Sequence, residues 1–361
     1  MRIVSPFLAK VFYPALSATG VLRHTATAGL AIVTYHGVLP QEYEPIDPVL
    51  DGNLVSAETL RRQLRLLKAN YNVIPPEDAL AWREGRIELP RRTVLLTCDD
   101  GLLNCLTDML PILQQEGIRC LFFVTAPSAG ESRSMLWYEE LFLLYLAAPA
   151  GSFDIASEGV SIKDEMRGPA ERRAIWWDSV RRLSQLDTQR RESFLRTIRT
   201  QFASSMASKL DNRHPSFCRR FALLTSVELR ELAAAGMTIG AHSLSHPILS
   251  QLPANLAYTE IAECRKKLES ALQTRIWAFA YPFGDPTSVT PRVVSMAKDA
   301  GYKAAFLNFG GGLGTDLPAY ALPRVPVTSE MGLAEFETHV SGFYARLQRL
   351  AGRGSQSRFT A

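Results

Sequence analysis

Two short runs hold the side chains best suited to chemistry, Thr97-Cys98-Asp99-Asp100-Gly101 and, far downstream, His242-Ser243-Leu244-Ser245-His246. The first offers adjacent carboxylates, which at a strand end project in different directions, so that one can hold a cation while the other faces a reacting atom. The second offers two imidazoles four residues apart, a spacing that lets both reach one ion from a helix or tight turn. Each run alone has a plainer reading: an acidic turn with an N-cap, or two capping or solvent-facing histidines. Together, at successive strand ends, they point to a shared Asp-His-His site. Such a donor set suits Zn²⁺ and other divalent first-row ions, and it leaves positions open for water, as a metal-assisted hydrolase requires.

The surrounding pattern explains how these runs could meet. From Ala31 onward, short apolar β-type runs alternate with amphipathic helices, the signature of parallel strands joined by crossover helices. Strands are expected at Ala31–Tyr35, Tyr71–Ile74, Thr93–Thr97, Arg119–Thr125, Met237–Ala241, Trp277–Tyr281, Tyr302–Leu307 and Leu322–Val327. Between them, Ser56 is a candidate N-cap for a helix with Leu60, Leu64, Leu66 and Leu67 on one face, and Thr290-Pro291 opens another. From about Pro127 to Phe221 the alternation stops and a charged, tryptophan-bearing stretch reads as a mainly helical insertion. Its tryptophans, Trp137, Trp176 and Trp177, are expected to pack between helices rather than stack on sugars. Polar motifs at the carboxyl ends of at least three strands fit a (β/α) barrel or a distorted relative, where such ends converge on one face.

Composition narrows the setting. The 361 residues are 47% hydrophobic, enough for a substantial core, and carry 40 basic and 36 acidic side chains for a formal net charge of +4. That small, scattered excess gives no reason to expect nucleic acid as a partner. Five cysteines without a CxxC pair suggest neither a disulfide framework nor a cysteine-rich zinc site. Met1–Ala18 joins an early Arg2 to an apolar run, but Lys10 and two prolines interrupt it. A helix packed on the domain is therefore expected in residues 1–30 rather than a cleaved leader, with contact to a membrane surface as a further reading. A cytoplasmic, reducing location is expected, with membrane association and export left open, as is the oligomeric state. Residues 331–361 read as a helix followed by a polar tail.

Three motifs in order, Thr97–Gly101, His242–Pro247 and Phe279-Ala280-Tyr281-Pro282-Phe283-Gly284, together with the early Thr34-Tyr35-His36-Gly37-Val38, resemble the NodB-homology polysaccharide deacetylases of carbohydrate esterase family 4. The resemblance covers about residues 31–126 and 222–330. It implies a distorted (β/α)7 barrel within 31–330 and hydrolysis of N-acetyl groups on N-acetylhexosamine units of a polysaccharide, peptidoglycan or glycolipid. Carried over by residue, it implies that Asp99 is the catalytic base and that Asp100, His242 and His246 hold the metal. It further implies that the Tyr281 backbone N–H helps hold the oxyanion and that Arg324 orients or ionises Asp99, with a simple surface ion pair as the alternative reading of Arg324.

Two departures from the family pattern bear on this expectation. Cys98 stands where the family usually has phenylalanine, a change expected in the core. A late Leu-x-His motif that often supplies the general acid is missing, and His339 reads as a surface histidine. His36, at the end of the first strand, is either a substrate-side group or a hydrogen-bonded core residue. The alternatives to a metal-dependent N-deacetylase are an O-acetyl esterase or small-molecule amidase on the same site, or a glycan-binding protein impaired in catalysis.

Overall fold

The computed structural model describes residues 8–24, 29–126, 133–209, 214–315 and 317–350. Ten strands form among the described residues: β1 (Leu30–Tyr35), β2 (Asn72–Ile74), β3 (Thr93–Cys98), β4 (Leu121–Val124), β5 (Gly151–Ser157), β6 (Val160–Met166), β7 (Thr238–Ala241), β8 (Ala278–Ala280), β9 (Ala304–Gly310) and β10 (Leu322–Pro326). Seven of them, β1, β10, β9, β8, β7, β4 and β3, pair side by side in parallel, and β3 returns to β1 to close the ring. β1 and β3 are buried along their whole length, as strands covered on both faces must be. The barrel is distorted where β2 pairs with Thr93–Leu95 while β4 pairs only with Thr97 and Cys98. Because β1 occupies the other edge of β3, β2 wedges in at the bottom of the barrel and β4 joins at the top.

Side-chain alternation divides the core into two. Leu30 and Ile32, Leu95, Leu121 and Phe123, Ala278 and Ala280, Ala304 and Phe306, and Leu322 fill the barrel interior. The alternate positions, among them Val33, Leu96, Phe122, Ile239, Phe279 and Ala305, pack outward against the helices. The helices begin where their caps are written: Ser56 accepts from Thr59 N–H to start Ala57–Asn70, and Thr290 accepts from Val293 N–H to start Pro291–Asp299. Thr225 and Glu228 form a reciprocal capping box at the start of Ser226–Ala234.

The insertion is mainly helical, with one element the sequence reading did not place. Its helices Trp137–Ala147, Pro169–Leu183 and Thr188–Lys209 enclose an antiparallel hairpin, β5–β6. The hairpin closes through Glu158-Gly159, both at positive φ (54° and 78°), the conformation of a two-residue type I′ turn. Phe153, Ile155, Ile162 and Met166 face a separate apolar core with Leu141, Leu144, Phe194 and Ile198. Across the seam with the barrel, the fully buried Arg220 donates to Asp51 Oδ1 at 2.7 Å and Glu139 Oε1 at 2.9 Å.

The N-terminal helix Tyr13–Ala18 packs on Leu333–Val340, where Ser17 Oγ donates to Glu337 Oε2 at 2.5 Å. His339, expected at the surface, is instead buried, with Tyr13 and Tyr344 on either side at ring separations of 6.3 and 4.3 Å. Among the described residues, no helix is long and apolar enough to cross a membrane. The polar tail beyond Gly352 and the first residues of the chain lie outside the described residues.

Candidate active site

The inward parity of each strand, continued past its carboxyl end, delivers the polar residues to one mouth. Leu95 and Thr97 lead to Asp99, Ile32 and Thr34 lead to His36, Gly240 leads to His242, and Leu322 leads to Arg324. Gly240 is required there, because a Cβ would lie 2.6 Å from the Phe123 ring that fills the barrel beneath. Cys98 has the outward parity and is fully buried with its Sγ 3.6 Å from Cys105 Sγ, as a core residue should be. Asp100 reaches the mouth by a different route, a turn in which it and Gly101 have φ of 75° and 78°. Seven non-glycine residues in the described chain have positive φ, and four of them, Asp100, Ser243, His246 and Phe283, surround this site. Backbone held in so unfavourable a region persists where the surroundings over-determine it, and such positions gather at functional sites.

Asp99 and Arg324 form a buried two-pronged pair, Nη1 to Oδ1 at 2.7 Å and Nη2 to Oδ2 at 2.5 Å. The guanidinium is fixed from behind by bonds to Leu307 O at 2.6 Å and Thr97 Oγ1 at 3.1 Å. Burial alone would push the Asp99 carboxyl up, but the Arg324 charge, aided by His242, outweighs it and holds the group below the usual carboxylate range. Arg324 is thus a buried partner of Asp99 and not a surface ion pair.

Asp100, His242 and His246 bring their ligand atoms within 4.8 Å of one another. Asp100 Oδ1 lies 3.5 Å from His242 Nε2 and 3.3 Å from His246 Nε2. His242 Nδ1 pairs with Ala280 O at 2.8 Å, which turns Nε2 toward Asp100. Burial would raise the Asp100 carboxyl, yet the two imidazoles hold it well below its usual value. The histidines differ: burial favours neutral rings, but His242 is raised by Asp100 and the Asp99 charge, whereas burial prevails at His246 and lowers it. One carboxylate and two imidazoles, converging and buried, fit a divalent first-row ion.

The loop carrying the histidines is braced from outside the barrel. Ser243 Oγ accepts from His246 N–H at 2.9 Å, and Glu260 accepts from Ser245 N–H at 2.9 Å and Oγ at 2.5 Å. The insertion adds Thr188 and Arg191 to Ser245, and Trp137 Nε1 donates to His246 O at 3.1 Å. Tyr138 lays its ring 5.0 Å from His246 and 5.5 Å from Phe283. Its phenol is pushed well up by burial and by the nearby charge of Asp100, with a smaller contribution from Asp99.

Tyr281 departs from expectation. Its outward parity puts the ring in the outer core, its hydroxyl donates to Tyr320 O at 2.8 Å, and its N–H is committed to Phe306 O at 3.1 Å within the sheet. That donor is therefore not directed at an oxyanion. By contrast, His36 Nδ1, His246 Nδ1, Thr125 Oγ1 and Asn308 Oδ1 are buried polar atoms without protein partners. Buried polar groups are nearly always satisfied, so these atoms are candidates to receive a ligand, ion or water. Thr125 and Asn308 had no motif to announce them; the available signal was their inward parity beyond Phe123 and Phe306.

Comparison with known proteins bears on the fold and on the histidine-bearing segment. A family model described as polysaccharide deacetylase matches residues 200–305, a span that holds His242 and His246 but neither Asp99-Asp100 nor Arg324. The predicted polysaccharide deacetylase YxkH of Bacillus subtilis (strain 168) is 26% identical over 117 residues, 32% of this chain and 41% of that protein's length. In fold, the chain is similar to IcaB from Ammonifex degensii (TM-score 0.54, 18% identity), covering 87% of this chain and 97% of that one. It is equally similar to the Streptococcus pyogenes deacetylase PplD, solved in complex with acetate (TM-score 0.54, 16% identity, 87% and 99% covered). With its three motifs gathered at the mouth of a closed parallel barrel, and with the match across the histidine-bearing segment, the chain is similar to polysaccharide deacetylases.

Proposed function

We propose that the protein is a metal-dependent N-deacetylase acting on N-acetylhexosamine units of a glycan. The observation that carries this reading is the juxtaposition of an Asp-His-His cluster with a separate carboxylate, Asp99, fixed by a buried arginine. Asp100, His242 and His246 would hold the ion. When bound, such an ion polarises an acyl oxygen and acidifies water, which suits a base as weak as Asp99.

The chain's own residues do the rest. Arg324 keeps Asp99 ionised and oriented, so the carboxylate can take a proton from the attacking water along a lone pair that the arginine leaves free. The departing amine needs that proton or another one. His36 sits at the end of β1, is nine-tenths buried, and is close enough to influence both aspartates. We assign to it, with Nδ1 unpartnered, the delivery of a proton to the amine in place of the missing late histidine. Thr125 and Asn308 offer polar contacts to the acetamido group and sugar.

The test is acetate release from N-acetylated hexosamine oligomers. We expect release by the Zn²⁺- or Co²⁺-loaded protein, loss with chelator, and recovery on re-addition of metal. Release from acetyl esters but from no acetamido sugar would replace this reading with an O-acetyl esterase.

A further inference from the structure

The insertion contributes three indoles in two different states. Trp137 is buried and its N–H is spent on His246 O at 3.1 Å, while Trp176 donates to Tyr138 O at 2.7 Å. These are the packing residues that the sequence pattern suggests. Trp177 differs from both: it is 36% exposed, and its N–H has no hydrogen-bond partner among the described residues. Buried indoles usually find a partner for the N–H, and an exposed one carrying a large apolar face is the arrangement of a contact surface.

Its location gives the exposure meaning. The Trp177 ring stands 5.9 Å from Phe283, which in turn stands 4.9 Å from His246 and 5.5 Å from Tyr138. Phe283 itself has a positive φ, 60°, in the Pro282-Phe283-Gly284 turn at the end of β8. An aromatic surface therefore runs without interruption from a candidate metal ligand to solvent, half of it supplied by the barrel and half by the insertion.

We infer that Tyr138, Phe283 and Trp177 form a sugar-binding subsite, in which Trp177 stacks on a hexosamine ring next to the one being deacetylated. The occupant is a glycan chain rather than another protein face, because the surface begins at the catalytic cluster and continues from it. The axial C–H faces of a pyranose match an indole plane, and the free N–H can donate to a ring substituent. On this account the insertion selects oligomers over single sugars. The inference rests on the deacetylase reading for its substrate class, and the test separates the two.

The probe is a β-1,4-linked N-acetylglucosamine tetramer, with the monomer alongside. Trp177→Ala should raise KM for the tetramer about tenfold while kcat changes less than about twofold, and Trp177→Phe should recover most of the loss. Calorimetry with the tetramer in an Asp99→Asn background should show the same about tenfold weakening of Kd when Trp177→Ala is added. A thermal melt checks that the exposed substitution leaves folding intact. Unchanged KM and Kd in Trp177→Ala would overturn the subsite and leave the deacetylase reading standing. No acetate release by the parent chain, with tetramer binding that still depends on Trp177, would overturn the reaction and keep the subsite. Neither release nor binding would overturn both.

Discussion

Two fully buried arginines, Arg324 at the barrel mouth and Arg220 at the seam with the insertion, face carboxylates through near-identical hydrogen bonds and serve different ends. Arg324 meets a single carboxylate, Asp99, and its charge outweighs burial, so the acid stays ionised beside a cluster that can hold a cation. Arg220 must serve two, Asp51 and Glu139, and at Glu139 burial prevails and pushes the carboxyl up to about 7. Asp51 is already held by the Tyr43 hydroxyl and the Ile46 N–H. The same guanidinium chemistry thus tunes a reactive group in one place and clamps two segments in the other. What differs is which groups face the carboxylate from the remaining sides.

The largest effects should come from the cluster itself. His242→Ala or Asp100→Ala should lower metal content to background and abolish acetate release, read by elemental analysis and the acetate assay, whereas no change at the seam should do either. Next, Arg324→Met should cost roughly 3–5 kcal/mol in chemical unfolding by leaving Asp99 buried and unpaired, and should also reduce kcat. Arg220→Met should cost a similar amount, roughly 3–5 kcal/mol, with activity per folded molecule nearly kept. Equal losses of specific activity in the two variants would erase the distinction between tuning and clamping.

The smallest effect is a difference in pH dependence. Glu139 has its folded value raised above the ordinary 4.5 to about 7, so its contribution to stability is complete below 4.5 and is lost as pH rises toward 7. Glu139→Gln should flatten that slope, a change of roughly 1–3 kcal/mol between mildly acidic and mildly alkaline solution. Asp99 has the opposite sign, its contribution being present above the usual carboxylate range and lost only as pH falls through its depressed value. Unfolding curves of the parent and of Glu139→Gln across this range would show it, and parallel curves would contradict the assignment.

The barrel half was legible because its chemistry follows strand parity. Thr97 to Asp99, Gly240 to His242 and Leu322 to Arg324 are two-residue steps, readable from the sequence once the strands are placed. Legibility failed where long-range registry decides. Nothing local to Tyr281 shows that its N–H is taken by Phe306, and nothing local to His339 shows that Tyr13 covers it. In the insertion, Glu158-Gly159 was a hairpin signal masked by the charged outer faces of its strands, where Asp154, Lys163 and Glu165 suggest helix. Tyr138 and Trp177 carry no motif, and their significance arises only where separate segments meet at His246 and Phe283.

The most direct test of the central claim is acetate release by metal-loaded Asp99→Asn, compared with the parent chain at equal metal content on an N-acetylglucosamine oligomer. Asparagine keeps the shape but cannot take the proton, so kcat should fall by roughly 10²–10⁴-fold while metal stays bound. Turnover at the parent rate, with metal bound and the fold intact, would contradict the assignment of Asp99 as the base.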